Sequence, residues 1–289
     1  MSFRIEPFRQ QESKEQDPIV PIIDIVRHGP TVYKELKDPS FVFDPTAEGF
    51  KLDVEHLDLT EEGIEIIRNT GKQLAAKIDK KNEVVLILTS PNFRAQSTDL
   101  LIDEELRAAG VSMLLPREEN LRIVNNLRQI NFKDQGDRAD WIVADGAFRA
   151  EAQLHTKLPP EQAHEKIAAA LGRELSDIFT EDYQDIDARL KRFIRHATNI
   201  NRYLDAATKA RLEGKRLRII AVTHEEVPSR LMGEVLSTRE NIKKGQVLEI
   251  RARQQLKTGA STTAEFELLP HGDEGEYGKN ILTLSIDEE

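Results

Sequence analysis

The chain has no cysteine in its 289 residues. That excludes disulfides, thiolate metal sites and a cysteine nucleophile. It also lacks a basic excess: 41 Lys and Arg face 51 Asp and Glu, a formal net charge of -10. Phosphate-backbone binding needs a cationic footprint, so nucleic acid is not an expected partner. No apolar run approaches the roughly 18 residues of a membrane span, so a membrane is not expected either. Residues 1–18, MSFRIEPFRQQESKEQDP, lack the apolar stretch of a secretion signal. The expectation is a cytoplasmic protein with residues 1–20 as a mobile arm and residues 21–289 as one domain. What is present suffices for that domain, since 39% of the residues are hydrophobic.

Several short β-branched runs read as buried strands. The first, Ile22 to Val26, leads directly into Arg27-His28-Gly29-Pro30. A long segment without sustained period, Thr31 to Asp58, follows and is placed to line a site. Thr60 to Lys80 has helical spacing, with Thr60 as N-cap and Glu61 and Glu62 at the positive end of the dipole. Val84 to Leu88 is a second strand. It runs into Thr89-Ser90-Pro91-Asn92-Phe93-Arg94, where Ser90 reads as the N-cap of a helix ending near Gly110. Val111 to Leu115 is a possible further strand, and Leu121 to Phe132 fits either strand or loop. From Arg138 to Thr180 the pattern is helical, interrupted at Pro159-Pro160, with a helix over Glu161 to Phe179. Asp185 to Gly214 reads as one long helix whose apolar seam runs Ile186, Leu190, Phe193, Ala197, Ile200, Leu204 and Ala207. That seam fits packing within the chain or across a dimer, so the oligomeric state stays open. Leu217 to Val222 is another buried strand, ending in Thr223-His224-Glu225-Glu226 ahead of a helix over Val227 to Leu236. Three β-like runs, Val247 to Ile250, Ala264 to Leu269 and Ile281 to Ile286, close the chain.

Three buried strands thus end in polar signatures: Arg27-His28, Arg94 and His224. In a parallel sheet all three meet at the carboxyl edge, where α/β sheets hold their ligands. Two guanidinium groups match phosphate oxygens in a fork geometry. A neutral imidazole is a competent nucleophile for phosphorus, and a second one can donate to developing charge. The other five histidines, His56, His155, His164, His196 and His271, have no spaced partners and read as solvated or turn residues. The acidic run Glu181 to Asp187 lacks calcium-loop spacing and reads as a helix start.

RHG after a strand, SPNFRAQST after the next and a late strand ending in TH resemble the histidine phosphatase superfamily, which includes the cofactor-dependent phosphoglycerate mutases. The match covers about Ile22 to Thr98 and Leu217 to Leu236. The resemblance implies an α/β fold: a mostly parallel central sheet with helices on both faces, here with a helical cap or insertion over about residues 138–214. It implies a phosphomonoester hydrolase working through a phosphohistidine on His28, with no metal and no cofactor. Arg27 and Arg94 would clamp the phosphate, and His224 would be the second histidine of the pocket. The general acid departs from the mutase-like pattern, because Gln129 stands where that branch has Glu. Glu225, beside His224, is the acid that the acid-phosphatase branch suggests; Glu226 and Asp134 are alternatives. The expected partner is a small phosphorylated substrate. A phosphoglycerate mutase-type phosphotransferase and a non-catalytic phosphate-ester binding protein remain the rival readings.

Overall fold

The computed structural model describes residues 20–31, 59–117, 122–155, 158–236, 242–253, 261–269 and 279–285. The N-terminal arm, most of the Thr31 to Asp58 segment with His56, and His271 lie outside the described residues. The elements are β1 (Ile22–Arg27), α1 (Glu61–Lys77), β2 (Glu83–Thr89), α2 (Phe93–Ala108), α3 (Gln135–His155), α4 (Pro160–Ala170), α5 (Leu175–Ile178), α6 (Tyr183–Asn199), α7 (Ala206–Leu212), β3 (Arg216–Thr223), α8 (Ser229–Leu236), β4 (Val247–Ala252), β5 (Ser261–Leu268) and β6 (Lys279–Ser285).

These strands form a six-stranded sheet in the order β2-β3-β1-β4-β5-β6. β3 runs parallel to both β1 and β2. The β1–β4, β4–β5 and β5–β6 pairings are antiparallel. The sheet is therefore mixed, not mostly parallel. Parallel neighbours need a crossover of a dozen or more residues. Helical crossovers link the first three strands, whereas only short stretches join β4 to β5 and β5 to β6.

The apolar runs of β1, β2 and β3 are continuous because both of their faces are covered. Val26, Val85, Ile87, Ile220 and Val222 pack with Ile67 and Leu74 of α1 and Leu101 and Ile102 of α2. Ile23, Ile25, Leu86, Ile219 and Ala221 belong to the opposite core, with Trp141 of α3, Ile167 of α4, Ile186, Leu190 and Phe193 of α6 and Leu231 of α8. Among the described residues no helix is long and apolar enough to cross a membrane.

Thr60 caps α1 as its sequence indicates, its side chain accepting from the Gly63 N–H. Three expectations are corrected. The long helix breaks: α6 ends at Asn199, a 3-10 turn spans Ile200–Arg202, and Asp205 caps α7 through the Thr208 N–H. The Asn199 amide turns back onto the Arg195 carbonyl, a local bond that competes with continued helix. The first half of the seam packs within the chain, while Ala207 is exposed. The helix over Glu161 to Phe179 divides at Gly172, whose φ of +67° ends α4. Val111 to Leu115 makes one parallel bridge, Val85 to Met113, before turning to bury Leu114 and Leu115. The run Glu181 to Asp187 does start a helix, with Asp182 and Asp185 in a reciprocal cap, but Glu181 also pairs with Arg128 and Arg189.

The apolar strands conceal one charged device. Arg218 of β3, fully buried, forks onto Asp24 of β1 through Nε (2.6 Å) and Nη2 (2.9 Å). Its Nη1 donates to Glu83 of β2 at 3.3 Å, and Nη2 also meets Glu249 of β4. Lys77, the last residue of α1, reaches the same Glu249. This cluster spans four strands toward the amino ends of β1, β2 and β3, opposite the end where Arg27, Thr89 and Thr223 emerge.

Candidate active site

Backbone pairing brings the three signatures together. The His28 N–H donates to the Thr223 carbonyl at 3.0 Å, and the Ser90 N–H donates to Val222 at 3.0 Å. The ends of β1, β2 and β3 are thus locked edge to edge, as the parallel-strand expectation required.

The turn after β1 is clamped onto two helices. The Gly29 N–H donates to Thr98 Oγ1 at 3.1 Å, and that hydroxyl donates to the Arg94 carbonyl at 2.8 Å. The Thr60 N–H donates to the Pro30 carbonyl at 3.2 Å. A Cβ on Gly29 would lie 2.8 Å from Ile67, and one on Gly63 would lie 2.5 Å from the Pro30 oxygen. Glycine at both positions lets the turn sit flat on the start of α1.

His28 is 3% exposed. Its Nδ1 lies 2.7 Å from the Gly29 carbonyl, which can only accept, so Nδ1 carries the proton. Arg94 Nε donates to His28 Nε2 at 3.0 Å, so Nε2 carries the lone pair. Burial, followed by the charges of Arg94, His224 and Arg27, pushes the His28 pKa well below its usual value. The ring is neutral near pH 7, with one defined tautomer and Nε2 facing a cation.

His224 stands beside it, ring centroids 5.0 Å apart and planes inclined at 58°. Ser90 Oγ lies 2.7 Å from His224 Nε2 and fixes the ring. Ser90 is therefore not the cap of α2; Asn92 occupies that position, and no side-chain bond caps the helix. Arg94 nevertheless lies in the first turn of α2, as its sequence position indicates.

Each arginine has a side-chain partner at its far end. Arg27 Nη1 donates to the Ile242 carbonyl at 2.8 Å, and its Nη2 pairs with the Glu225 carboxylate. Arg94 Nη2 donates to the Gln129 amide oxygen. The segment carrying Gln129 is pinned on both sides, by Thr223 Oγ1 to the Leu127 carbonyl (2.7 Å) and by the Ile130 N–H to Glu226 Oε1 (3.1 Å).

Arg27, His28, Arg94, His224 and Glu225 thus form one cluster. Glu226 is turned to the Ile130 amide. Asp134 is exposed, and its carboxylate accepts from the Asp137 N–H in the first turn of α3. Among the other histidines, His196 is exposed as expected, and His155 lies at the end of α3. His164 is no solvated residue: Nδ1 lies 2.9 Å from the Tyr183 hydroxyl, and the ring packs edge-on to Trp141. Ser90, Thr98 and Thr223 stand in the quoted motifs without a site role assigned to them, and the Ile242 carbonyl was not found at all. A hydroxyl after a strand signals equally a helix cap, and a backbone carbonyl carries no sequence signal.

No family model and no curated protein matches the chain. Among solved structures it is similar to the phosphoglycerate mutase of Bacillus anthracis str. Sterne, at 20% identity and TM-score 0.46, covering 80% of this chain and 88% of that one. It is similar to a mycobacterial glucosyl-3-phosphoglycerate phosphatase in complex with VO3, at 14% identity and TM-score 0.42, covering 81% and 94%. It is also similar to Klebsiella sp ASR1 phytase, at 10% identity and TM-score 0.43, covering 92% and 88%.

Proposed function

We propose that the protein is a phosphomonoester hydrolase acting through a phosphohistidine on His28. The observation that carries this reading is the pair of bonds on that ring: Nδ1 to the Gly29 carbonyl and Arg94 Nε to Nε2. A neutral nucleophile and an anion-binding cation meet at the same atom. A phosphoryl group enters between Arg27, Arg94 and His224, taking the place of the Arg94–His28 bond. His28 Nε2 attacks phosphorus in line as the ester oxygen departs. The guanidinium groups and His224 stabilise the charge on the transferring oxygens. Glu225 is the acid of this scheme, since its carboxylate already sits on the phosphate clamp while Glu226 and Asp134 are turned to backbone amides. Water then attacks phosphorus, the N–P bond breaks, and His28 and inorganic phosphate are regenerated.

Gln129 disfavours the mutase-type reading, because its amide supplies no proton and its oxygen is bonded to Arg94. The substrate is a small phosphate monoester, and the helices within residues 138–214 flank its leaving group. The chemistry needs no metal or cofactor. The test is hydrolysis of an aryl phosphate between about pH 4 and 8, with chelator present, beside a folded His28→Ala control. An aryl leaving group needs little protonation, so the assay reports on the nucleophile. Turnover that persists with chelator and drops at least about a thousandfold in the control supports the scheme. Absence of turnover across the range, or activity that survives in the control, overturns it.

A further inference from the structure

We propose that anion binding at this site is coupled to uptake of a proton by Glu225, so that the carboxylate neutralising Arg27 in the empty site becomes the acid of the occupied one. This step rests on the phosphate-site reading above and adds how that site sets its own protonation state.

Arg27 joins the clamp to the carboxylate. Its Nη1 donates to the Ile242 carbonyl, and its Nη2 pairs with Glu225. The two side chains are 9% and 20% exposed, so solvent screens the pair weakly. A dianionic phosphoryl group drawn to the same guanidinium arrives within hydrogen-bond range of a carboxylate. Two anions sharing one cation cannot both keep full charge in a poorly hydrated site, and the carboxyl pKa rises. The other charged or titratable groups of the cluster that holds Arg27 and Glu225 are His224 from the end of β3, His28 after β1 and Arg94 from α2. Glu226 faces away to Ile130.

The proton balance is closed. A proton from solvent bonds to a Glu225 carboxylate oxygen as the anion binds. When the P–O bond breaks and the N–P bond forms, that proton passes to the leaving oxygen, which departs as the alcohol. Glu225 is again a carboxylate and accepts the proton of the water that attacks the phosphohistidine, and it returns that proton to solvent as inorganic phosphate leaves and the carboxylate settles back on Arg27. The same residue therefore holds its proton only while an anion occupies the site.

The experiment uses sulfate, which does not titrate near neutrality, so any proton movement belongs to the protein. Isothermal titration of the full-length protein in buffers of differing ionisation heat, near pH 7, counts protons per sulfate bound. The wild type is expected to take up about one proton, and its affinity to fall up to about tenfold per pH unit. In Glu225→Gln the uptake disappears and the pH slope flattens, while sulfate still binds; Glu225→Asp restores the uptake. Sulfate bound without proton uptake by the wild type, or with uptake persisting in Glu225→Gln, overturns the coupling. Sulfate binding that Arg94→Ala leaves unweakened instead overturns the phosphate-site reading itself.

Discussion

Replacing Arg218 by Met should destabilise the protein severely while leaving the chemistry of each folded molecule intact. Arg218 makes four bonds to three carboxylates: two to Asp24, one to Glu83 and one to Glu249. Burial opposes its charge, yet Asp24, Glu249 and Glu83 outweigh that and hold its proton above the ordinary range. Met matches the length of the aliphatic stem but leaves Asp24, which is fully buried, without its forked donor. Removing one partner of a buried pair costs about 3–5 kcal/mol, because the remaining charge stays desolvated. At this chain length that corresponds to a fall in Tm of roughly 6–10 °C. Glu249 keeps Lys77 and Arg251, which places the main loss on Asp24. Burial, with a smaller contribution from the Glu249 charge, already raises Asp24 above its usual value despite Arg218. Without Arg218 it rises further, so the variant's deficit is largest at neutral pH and shrinks on acidification, as Asp24 takes a proton. Asp24→Asn added to Arg218→Met should return part of the loss. The assay is urea unfolding of the variants at neutral and mildly acid pH, alongside specific activity. A loss below about 1 kcal/mol, the range of an exposed pair, would refute the reasoning. So would a deficit that grows on acidification.

Other outcomes follow from single contacts. Gly63→Ala places a Cβ 2.5 Å from the Pro30 carbonyl oxygen, against backbone that cannot swing away; thermal unfolding should fall by several degrees and aryl phosphate turnover should drop with it. Asp99 is buried on α2, neither of its oxygens has a hydrogen-bond partner among the described residues, and burial, then the Asp103 charge, pushes its pKa well up. A raised folded pKa means stability that is present below the unfolded value of 3.8 and declines as pH rises toward the folded one. Asp99→Asn should remove that decline, seen as a flatter stability–pH curve that gains on the wild type as pH rises. Gln129→Glu puts a carboxylate on Arg94 Nη2; KM for alkyl phosphates should rise with no gain in kcat, and a gain in kcat would move the acid role from Glu225 to this position.

Much of the site could be read along the chain because its parts are local. A β-branched run buried on both faces, followed at once by Arg27-His28-Gly29, places those side chains at a strand end whatever the rest of the fold does. The same holds for β2 with Arg94 and β3 with His224, and Thr60 caps α1 through a bond that spans only three residues. Pairing was not legible in this way. Nothing in Ile22–Arg27 states that β3 lies on one side and an antiparallel β4 on the other; that depends on long-range packing and on how little chain joins the later strands. The charge inside the sheet was equally hidden, because Asp24 in an apolar strand finds its donor 194 residues away. The break after Asn199 escaped periodicity because apolar spacing continues across it, whereas Asp205 starts a new helix. The roles of Ser90 and Glu225 were also decided in three dimensions. Each is a plausible helix-start residue by composition, and only the meeting of three strand ends turned one toward His224 and the other onto Arg27. Local sequence determined which groups stand at each strand end; tertiary structure decided which of them touch, and hence the tautomer of His28 and the partner of each arginine.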